Sequence, residues 1–407
     1  MKKILFNARI LSDDGELKRA DISVENGIIT SLCAAEDANA EAYDLRGAFV
    51  MPGAVDVHAH LREPGFEYKE TVLSGTLSAA KGGITALMAM PNLDPVPDSG
   101  EHLKAETDII GRDAVVAVYP FGAVTVGEKG KELADMEGLA PYVKAFSDDG
   151  RGVNDLNLLK KAMLIAKKYD KIIASHAEKE GYGVSPEAEI YAVEAELELV
   201  KETGCKYHFC HLSTAKSWAM VREAKRAGLD VTAEATPHHL FLNERFAPRE
   251  GNFKMNPPLR SYEDMRATVT AVLDGTADMI ATDHAPHSKE EKSDYDSAPN
   301  GIIGFETMLP SVYTGLVRTG RISFKRFVEL VSYNPAKRFS LPVNRIARGE
   351  RADLVALDID NPRIYTAEEI LSKSANSPFI GAEFYGFPIL TLKDGETVYK
   401  DINLRRI

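Results

Sequence analysis

Two rhythms of apolar and polar positions divide the chain. In the first fifty residues, short apolar runs at Lys3 to Ala8, Ala20 to Val24 and Ile28 to Leu32 are parted by Asp13-Asp14-Gly15 and Glu25-Asn26-Gly27. Such runs predict strands, and together they predict a small all-β unit. From Val50 the rhythm changes, and apolar runs alternate with helix-like stretches. Strands are predicted at Ala54 to His60, Ile84 to Met90, Ala114 to Tyr119, Tyr142 to Phe146, Lys171 to Ser175, Tyr207 to His211, Asp230 to Ala235 and Met279 to Asp283. Helices are predicted between them, among others at Asn154 to Tyr169, Pro186 to Thr203, Thr214 to Ala227 and Ser261 to Leu273. Eight β-then-α units predict an α/β fold of the (β/α)8 barrel type. A doubly wound open sheet is the structural alternative, and no GxGxxG or P-loop supports it. After Val343 strand-like runs return at Asp353 to Leu357, Ile389 to Leu392 and Thr397 to Tyr399. They are expected to pair with the N-terminal strands, since chain ends often lie close together. The expected organisation is a small β-sandwich built from residues 1–50 and 343–407 around a barrel at 51–342.

Composition narrows the function. The 407 residues carry a net charge of -12, which argues against nucleic acid or an anionic membrane as a partner. A local cationic site for a small anionic substrate stays compatible with that charge. The opening Met1-Lys2-Lys3-Ile4-Leu5-Phe6-Asn7 turns polar too early for a signal-peptide core, and no run approaches membrane-helix length. Cys33, Cys205 and Cys210 form no CxxC, which fits reduced thiols in a cytoplasmic protein.

Barrel enzymes carry their chemistry at the C-terminal ends of the strands. The first predicted strand ends in His58 and His60, two apart and so on one face, followed by Arg62, whose planar fork suits a carboxylate. Later ends carry Asn92, Asp148-Asp149, His176, His211, His238-His239, and Asp283-His284 with His287. Of the ten histidines, all but His102 and His208 fall at these ends, a placement that chance would not produce. Imidazole with carboxylate suits zinc or a similar first-row ion, and four histidines with two acids suffice for two. One ion would take His58 and His60, the second His176 and His211. An acid after strand four would bridge them, and Asp283 would complete the first site.

The series DVHAHLREPG, AMPN, FSDDG, SHAE, CHLST, TPHHL, FKMNPPLR and ATDHAPH resembles the amidohydrolase superfamily, and within it the dihydroorotases of the longer, bacterial type. The resemblance runs over nearly the whole chain. It implies His58, His60, Asp149, His176, His211 and Asp283 as ligands of two Zn2+ ions per chain. It implies Arg62, Asn92, Asn256 and His287 as substrate contacts, with Asn300 and Gly301 in a loop over the substrate. The activity implied is reversible hydrolysis of L-dihydroorotate to N-carbamoyl-L-aspartate in pyrimidine synthesis, by a metal-bound hydroxide with Asp283 as proton shuttle. A homodimer and association with aspartate carbamoyltransferase are implied as partners.

The chain departs from the family at Asn300, where a phenylalanine is common, and in a short His176-to-His211 segment. Lys144-Ala145-Phe146 also fits the context of a carboxylated, metal-bridging lysine, so Lys144 competes with Asp149 for the bridge. Hydantoinase-like and allantoinase-like enzymes are the alternative, because they share the histidines but usually lack the arginine of HLREPG. An inactive scaffold would have no need of six metal-binding side chains. Simpler roles are expected elsewhere: His238 and His239 in packing, His284 in orienting its turn, Asp148 as a turn cap, Cys210 as a buried hydrophobe. Asn256 reads equally well as a turn residue.

Overall fold

The chain crosses from one sheet to another at Gly53. Phe49–Pro52 pairs antiparallel with Leu354–Asp358, and Ala54–Ala59 starts the barrel immediately afterwards. The structure, a computed structural model, describes residues 2–342 and 344–406. The expected boundary at 342/343 therefore touches a position outside the described residues.

The barrel is parallel throughout. Ala54–Ala59, Ile84–Ala89 and Ala117–Pro120 pair in order, and a second run pairs Gly122–Ala123, Ala145–Ser147, Ile172–Ser175, Lys206–Phe209, Val231–Ala235 and Met279–Ile280. Ala117–Pro120 and Gly122–Ala123 are two halves of the third strand, parted at Phe121, so that strand joins both runs. The circle closes where Ala59 bridges His284 and the His60 N–H donates to the His284 carbonyl at 2.8 Å. The eighth strand is short for a visible reason. The Thr282 N–H leaves the ladder for the Asp56 carboxylate at 3.1 Å, which frees Asp283 to turn inward. Two predicted strands begin late. The third starts at Ala117, and the fourth at Ala145, because Tyr142 sits in a turn bonded to Leu139 and is 74% exposed.

The helices sit where apolar period and caps coincide. Leu156–Lys168 begins on Asp155, Ala215–Arg226 on Thr214 and Tyr262–Asp274 on Ser261, each cap side chain accepting a backbone N–H of the first turn. Their apolar faces and the outer faces of the strands share one large core, with Trp218, Phe209, Leu159 and Val272 in it. A separate cluster inside the barrel holds Val57, Met88, Ile172 and Met279, with Phe121 and Phe339 packed edge to face. It fills the interior below the strand ends, as barrels of this type require.

Both chain ends build the small β-sandwich unit. Its strands run Glu396–Lys400, Phe387–Lys393, Leu354–Asp358, Phe49–Pro52, Lys2–Leu11, Leu17–Glu25 and Ile28–Ser31, with Glu41–Asp44 also on the first strand. The first strand slips register between Leu5 and Ala8, pairing with Glu41–Asp44 before the slip and Phe49–Pro52 after it. That bend wraps the sheet around its own core of Leu5, Ile22, Tyr43, Leu354 and Leu390. No helix among the described residues is long and apolar enough to cross a membrane.

The first helix of the barrel, Val72–Lys81, ends at Gly82 against the backbone of Phe305. A Cβ there would overlap the Phe305 carbonyl and force backbone movement. Gly82→Ala is expected to cost about 1–3 kcal/mol and lower the thermal midpoint, read by calorimetry on metal-loaded protein.

Candidate metal centre and its cavity

Six buried side chains converge at the C-terminal end of the barrel. His58 Nε2 lies 3.4 Å from Asp149 Oδ1 and 3.4 Å from Asp283 Oδ1. His60 Nε2 lies 3.5 Å from Asp149 Oδ2 and 3.3 Å from Asp283 Oδ1. On the other side of Asp149, His176 Nδ1 stands 3.7 Å from Oδ1 and 2.9 Å from His211 Nε2. Donor atoms of His58, His60 and Asp149 lie within 4.8 Å of one another, and so do those of Asp149, His176 and His211. Asp149 belongs to both groups. Asp283 and His211 hold left-handed backbone, φ +49° and +29°, which non-glycine residues adopt only when their surroundings enforce it.

The donor set fits a divalent cation. His58 Nε2 and Asp149 Oδ1 are buried with no hydrogen-bond partner among the described residues. Such an unmet group costs about 1–3 kcal/mol, and a shared ion satisfies both at once. The remaining edges are occupied. His58 Nδ1 pairs with Glu234 Oε1 at 2.6 Å, and His176 Nε2 with Glu178 Oε2 at 2.8 Å. These contacts fix which nitrogen faces the centre. A deeper group of His58, Cys210 and Glu234 also has metal-like spacing, but Glu234 is already committed to His58, His208 and the His211 N–H.

The electrostatics follow from burial and charge together. Burial alone would raise Asp149, Asp283 and Glu234, yet the imidazole of His58, seconded by the other histidines around each, holds all three below the usual carboxylate range. Burial works against a charged His58, and Glu234, Asp283 and Asp149 overcome it, so its pKa stands well above the ordinary value. Against the same burial cost, Asp149 and Glu178 push His176 up to about 10. Burial and the neighbouring His176 bring His211 down to about 3.

A cavity of about 250 Å³ opens above this cluster. It is lined by His60, Arg62, Asn92, Asp149, His176, His211, Asn256, Asp283, His287, Asn300 and Gly301, so all the expected contact residues meet there. Arg62, with φ +62°, turns toward the eighth-strand loop, and its Nη2 comes 3.4 Å from His287 Nε2. The Lys69 ammonium donates to His287 Nδ1 at 3.2 Å, so Nε2 carries the proton and donates to the Asn300 carbonyl at 2.8 Å. Burial with Arg62, Lys69 and Lys292 nearby lowers His287 to about 3. Asn92 donates to the Asp149 carbonyl at 2.8 Å, and Asn256 donates to Glu178 at 2.6 Å beside His176. Lys144 lies elsewhere. It precedes Ala145–Ser147 at the opposite end of the barrel, where burial first and the charge of Lys144 second lower the pKa of Lys171.

Sequence reasoning passed over several residues. Glu234 is the clearest, and its signal was a lone acid between Ala233 and Ala235 in an apolar strand. Asp148 does more than cap a turn, since it accepts from the Val124 and Thr125 backbone N–H groups and the Thr125 hydroxyl, tying the third strand's loop to the fourth. His284 stacks on Phe305 at 3.8 Å, and His238 and His239 share the Thr236 hydroxyl.

A closed parallel barrel with imidazoles and carboxylates gathered at its strand ends defines a metal-dependent hydrolase barrel. The amidohydrolase family model matches residues 49–398. A dihydroorotase of Geobacillus sp. (strain WCH70) is 41% identical over 424 aligned positions, covering 98% of this chain and 99% of that protein. A dihydroorotase of Bacillus cytotoxicus is 42% identical with the same coverage. Among solved structures, the L-hydantoinase (dihydropyrimidinase) of Arthrobacter aurescens superposes with a TM-score of 0.88 at 27% identity, covering 99% of this chain and 97% of that one. The chain belongs to the amidohydrolase family, and within it to the dihydroorotases.

Glu234 accepts from two imidazoles and one backbone N–H, so weakening it disturbs both halves of the centre. Glu234→Gln is expected to lower metal affinity about 10–100-fold. Metal content after dialysis against graded chelator measures it, and wild-type retention would refute the assignment.

Proposed function

We propose that the chain is a dihydroorotase. It hydrolyses L-dihydroorotate reversibly to N-carbamoyl-L-aspartate, with two zinc ions held by His58, His60, Asp149, His176, His211 and Asp283. The observation that carries this reading is the meeting of Arg62 and His287 in one cavity with five of the six donors, a carboxylate anchor beside a hydrolytic centre. The family membership supports it, and so does Asp149's place in both donor groups, which suits a bridging carboxylate. The three free thiols support a reducing, cytoplasmic setting. The reading extends to a homodimer and to association with aspartate carbamoyltransferase, whose product would be the cyclisation substrate.

Metal in this position supplies a Lewis acid for the amide carbonyl and makes water more acidic. The chain's own groups do the rest. Arg62, Asn92 and His287 hold the ring's carboxylate, which fixes stereochemistry and register. Asn256 and the Asn300–Gly301 backbone line the remaining wall. Asp283, kept ionised among His58, His60 and His211, accepts the proton of the attacking water and passes it to the departing ring nitrogen. In cyclisation it takes a proton from the ureido nitrogen instead. Carbamoyl aspartate has two carboxylates and the ring has one, so ring closure consumes a proton and lower pH favours the ring. Turnover across cyclic amides, with metal analysis of the same sample, tests the whole reading. A chain that opens only rings without a carboxylate would be a hydantoinase instead.

A charge-assisted contact in a partly closed site is worth about 1.5–3 kcal/mol. Arg62→Met should therefore lower kcat/KM for dihydroorotate by about ten- to a hundredfold and affect carboxylate-free rings far less. An equal loss on both would remove Arg62 as the anchor. Asp283→Ala should lower turnover in both directions by about 10²–10⁴-fold. Metal at the other five ligands should largely persist. Near-normal turnover with full metal would refute the shuttle role.

A further inference from the structure

The proposed carboxylate anchor is assembled from two separate parts of the barrel. Arg62 comes from the loop after the first strand and His287 from the loop after the eighth, and a segment from neither joins them. Residues 371–377 arrive from the C-terminal part of the chain, between Arg363–Ile364 and Glu383–Phe384. On the first-strand side, the Ser374 hydroxyl donates to the Lys69 carbonyl at 2.7 Å, and the Lys373 N–H donates to Glu70 at 3.1 Å. On the eighth-strand side, the Leu371 N–H donates to Glu306 at 2.8 Å, and Asn376 binds the loop itself. Its amide NH2 donates to the Ala285 carbonyl at 3.2 Å and to the Gly301 carbonyl at 3.0 Å. Its side-chain oxygen accepts the His287 N–H at 3.2 Å, and its backbone carbonyl accepts the Ile303 N–H at 3.1 Å. Asn376 is 3% exposed.

The segment is therefore a strap across the anchor. Lys69, carried by its first-strand end, donates to His287 Nδ1, and Asn376 holds the backbone of the same histidine. The Gly301 carbonyl is gripped a second time by the buried Lys292 ammonium at 2.8 Å, so the loop facing the substrate is held from both sides. We propose, on the dihydroorotase reading above, that Asn376 is a positioning residue that sets the spacing of His287 and Gly301 from Arg62 and thereby tunes affinity for the substrate carboxylate. It touches neither the donor cluster nor the reacting bond. Its removal should therefore act on ground-state and transition-state binding alike, through KM.

The test compares wild type, Asn376→Ala and Ser374→Ala, each with native metal, alone and combined with Arg62→Met. Wild-type turnover of dihydroorotate is measured first, and its absence would refute the functional reading, not the strap. The strap is also read without turnover, as the Kd of orotate, a planar ring bearing the same carboxylate. Asn376→Ala is expected to raise KM and the orotate Kd about tenfold, with kcat within about threefold and metal content unchanged. Ser374→Ala, at the other end, should raise both about two- to threefold and keeps the proposal testable if Asn376→Ala folds poorly. With Arg62 already replaced by Met, adding Asn376→Ala should change KM little, because the anchor is gone. Loss of kcat at constant KM, loss of metal, or an unchanged effect in the Arg62→Met background would overturn the proposal.

Discussion

Three carboxylates, Asp149, Asp283 and Glu234, are buried around one imidazole at the mouth of this barrel, and the arrangement of the mouth depends on offsetting them. A buried carboxylate without a partner is costly enough that it would take up a proton instead. Here all three are held ionised, because His58 touches each of them and His60, His176, His208 and His211 crowd in behind. Removing one histidine would leave an uncompensated charge, and removing one acid would leave imidazoles without an orienting partner. The cluster therefore behaves as a unit, and its donors are spaced to hold a cation that would offset the same charges.

The barrel supplies the rigidity this charge cluster needs. His58 and His60 share the end of the first strand, Asp149, His176, His211, Glu234 and Asp283 come from five others, and adjacent ends are cross-tied by side chains reaching for backbone groups. Asp56 takes the Thr282 N–H, Asp148 takes those of Val124 and Thr125, and Glu234 takes that of His211. All three are acids accepting from backbone N–H groups where the strands diverge, and the Val124 N–H is shared with the Ser147 carbonyl. The same residues that end regular pairing thus keep the diverging ends in place. Left-handed backbone at Arg62, His211 and Asp283 shows where that geometry is imposed on the chain against its preference.

Much of this was legible in the sequence, for physical reasons. Eight apolar runs alternating with amphipathic stretches admit few folds, and the helix Pro186–Thr203 falls on its predicted residues because its proline start and following Gly204 mark both ends. The clustering of histidines at predicted strand ends exposed the centre, since packing accounts for His238, His239 and His284 there but not for His58, His60, His176 and His211. What escaped was whatever depended on contacts distant in sequence. Tyr142-Val143 read as strand, although only Val143 is buried. Lys144 fitted a bridging context in one dimension and lies at the wrong end of its strand in three. Asn376 carries no local signature, and the lone acid Glu234 in its apolar strand shows only that something must pair with it, because the partners of both lie far away in the chain.

That division between legible and hidden residues follows a division of labour. The hydrolytic cluster sits on strand ends, and a fold shared with a hydantoinase at a TM-score of 0.88 and 27% identity is enough to present it. On the proposed reading, discrimination between a ring with a carboxylate and one without lies in the loops, which a barrel leaves free to vary. Loops are soft, however, and an anchor split between two of them would lose its spacing to thermal motion. The C-terminal part of the chain meets that difficulty by contributing no reacting group and instead binding backbone on both sides of the anchor. On the proposed reading, the barrel holds the chemistry, and the segment 371–377 fixes the distance on which selection of the substrate depends.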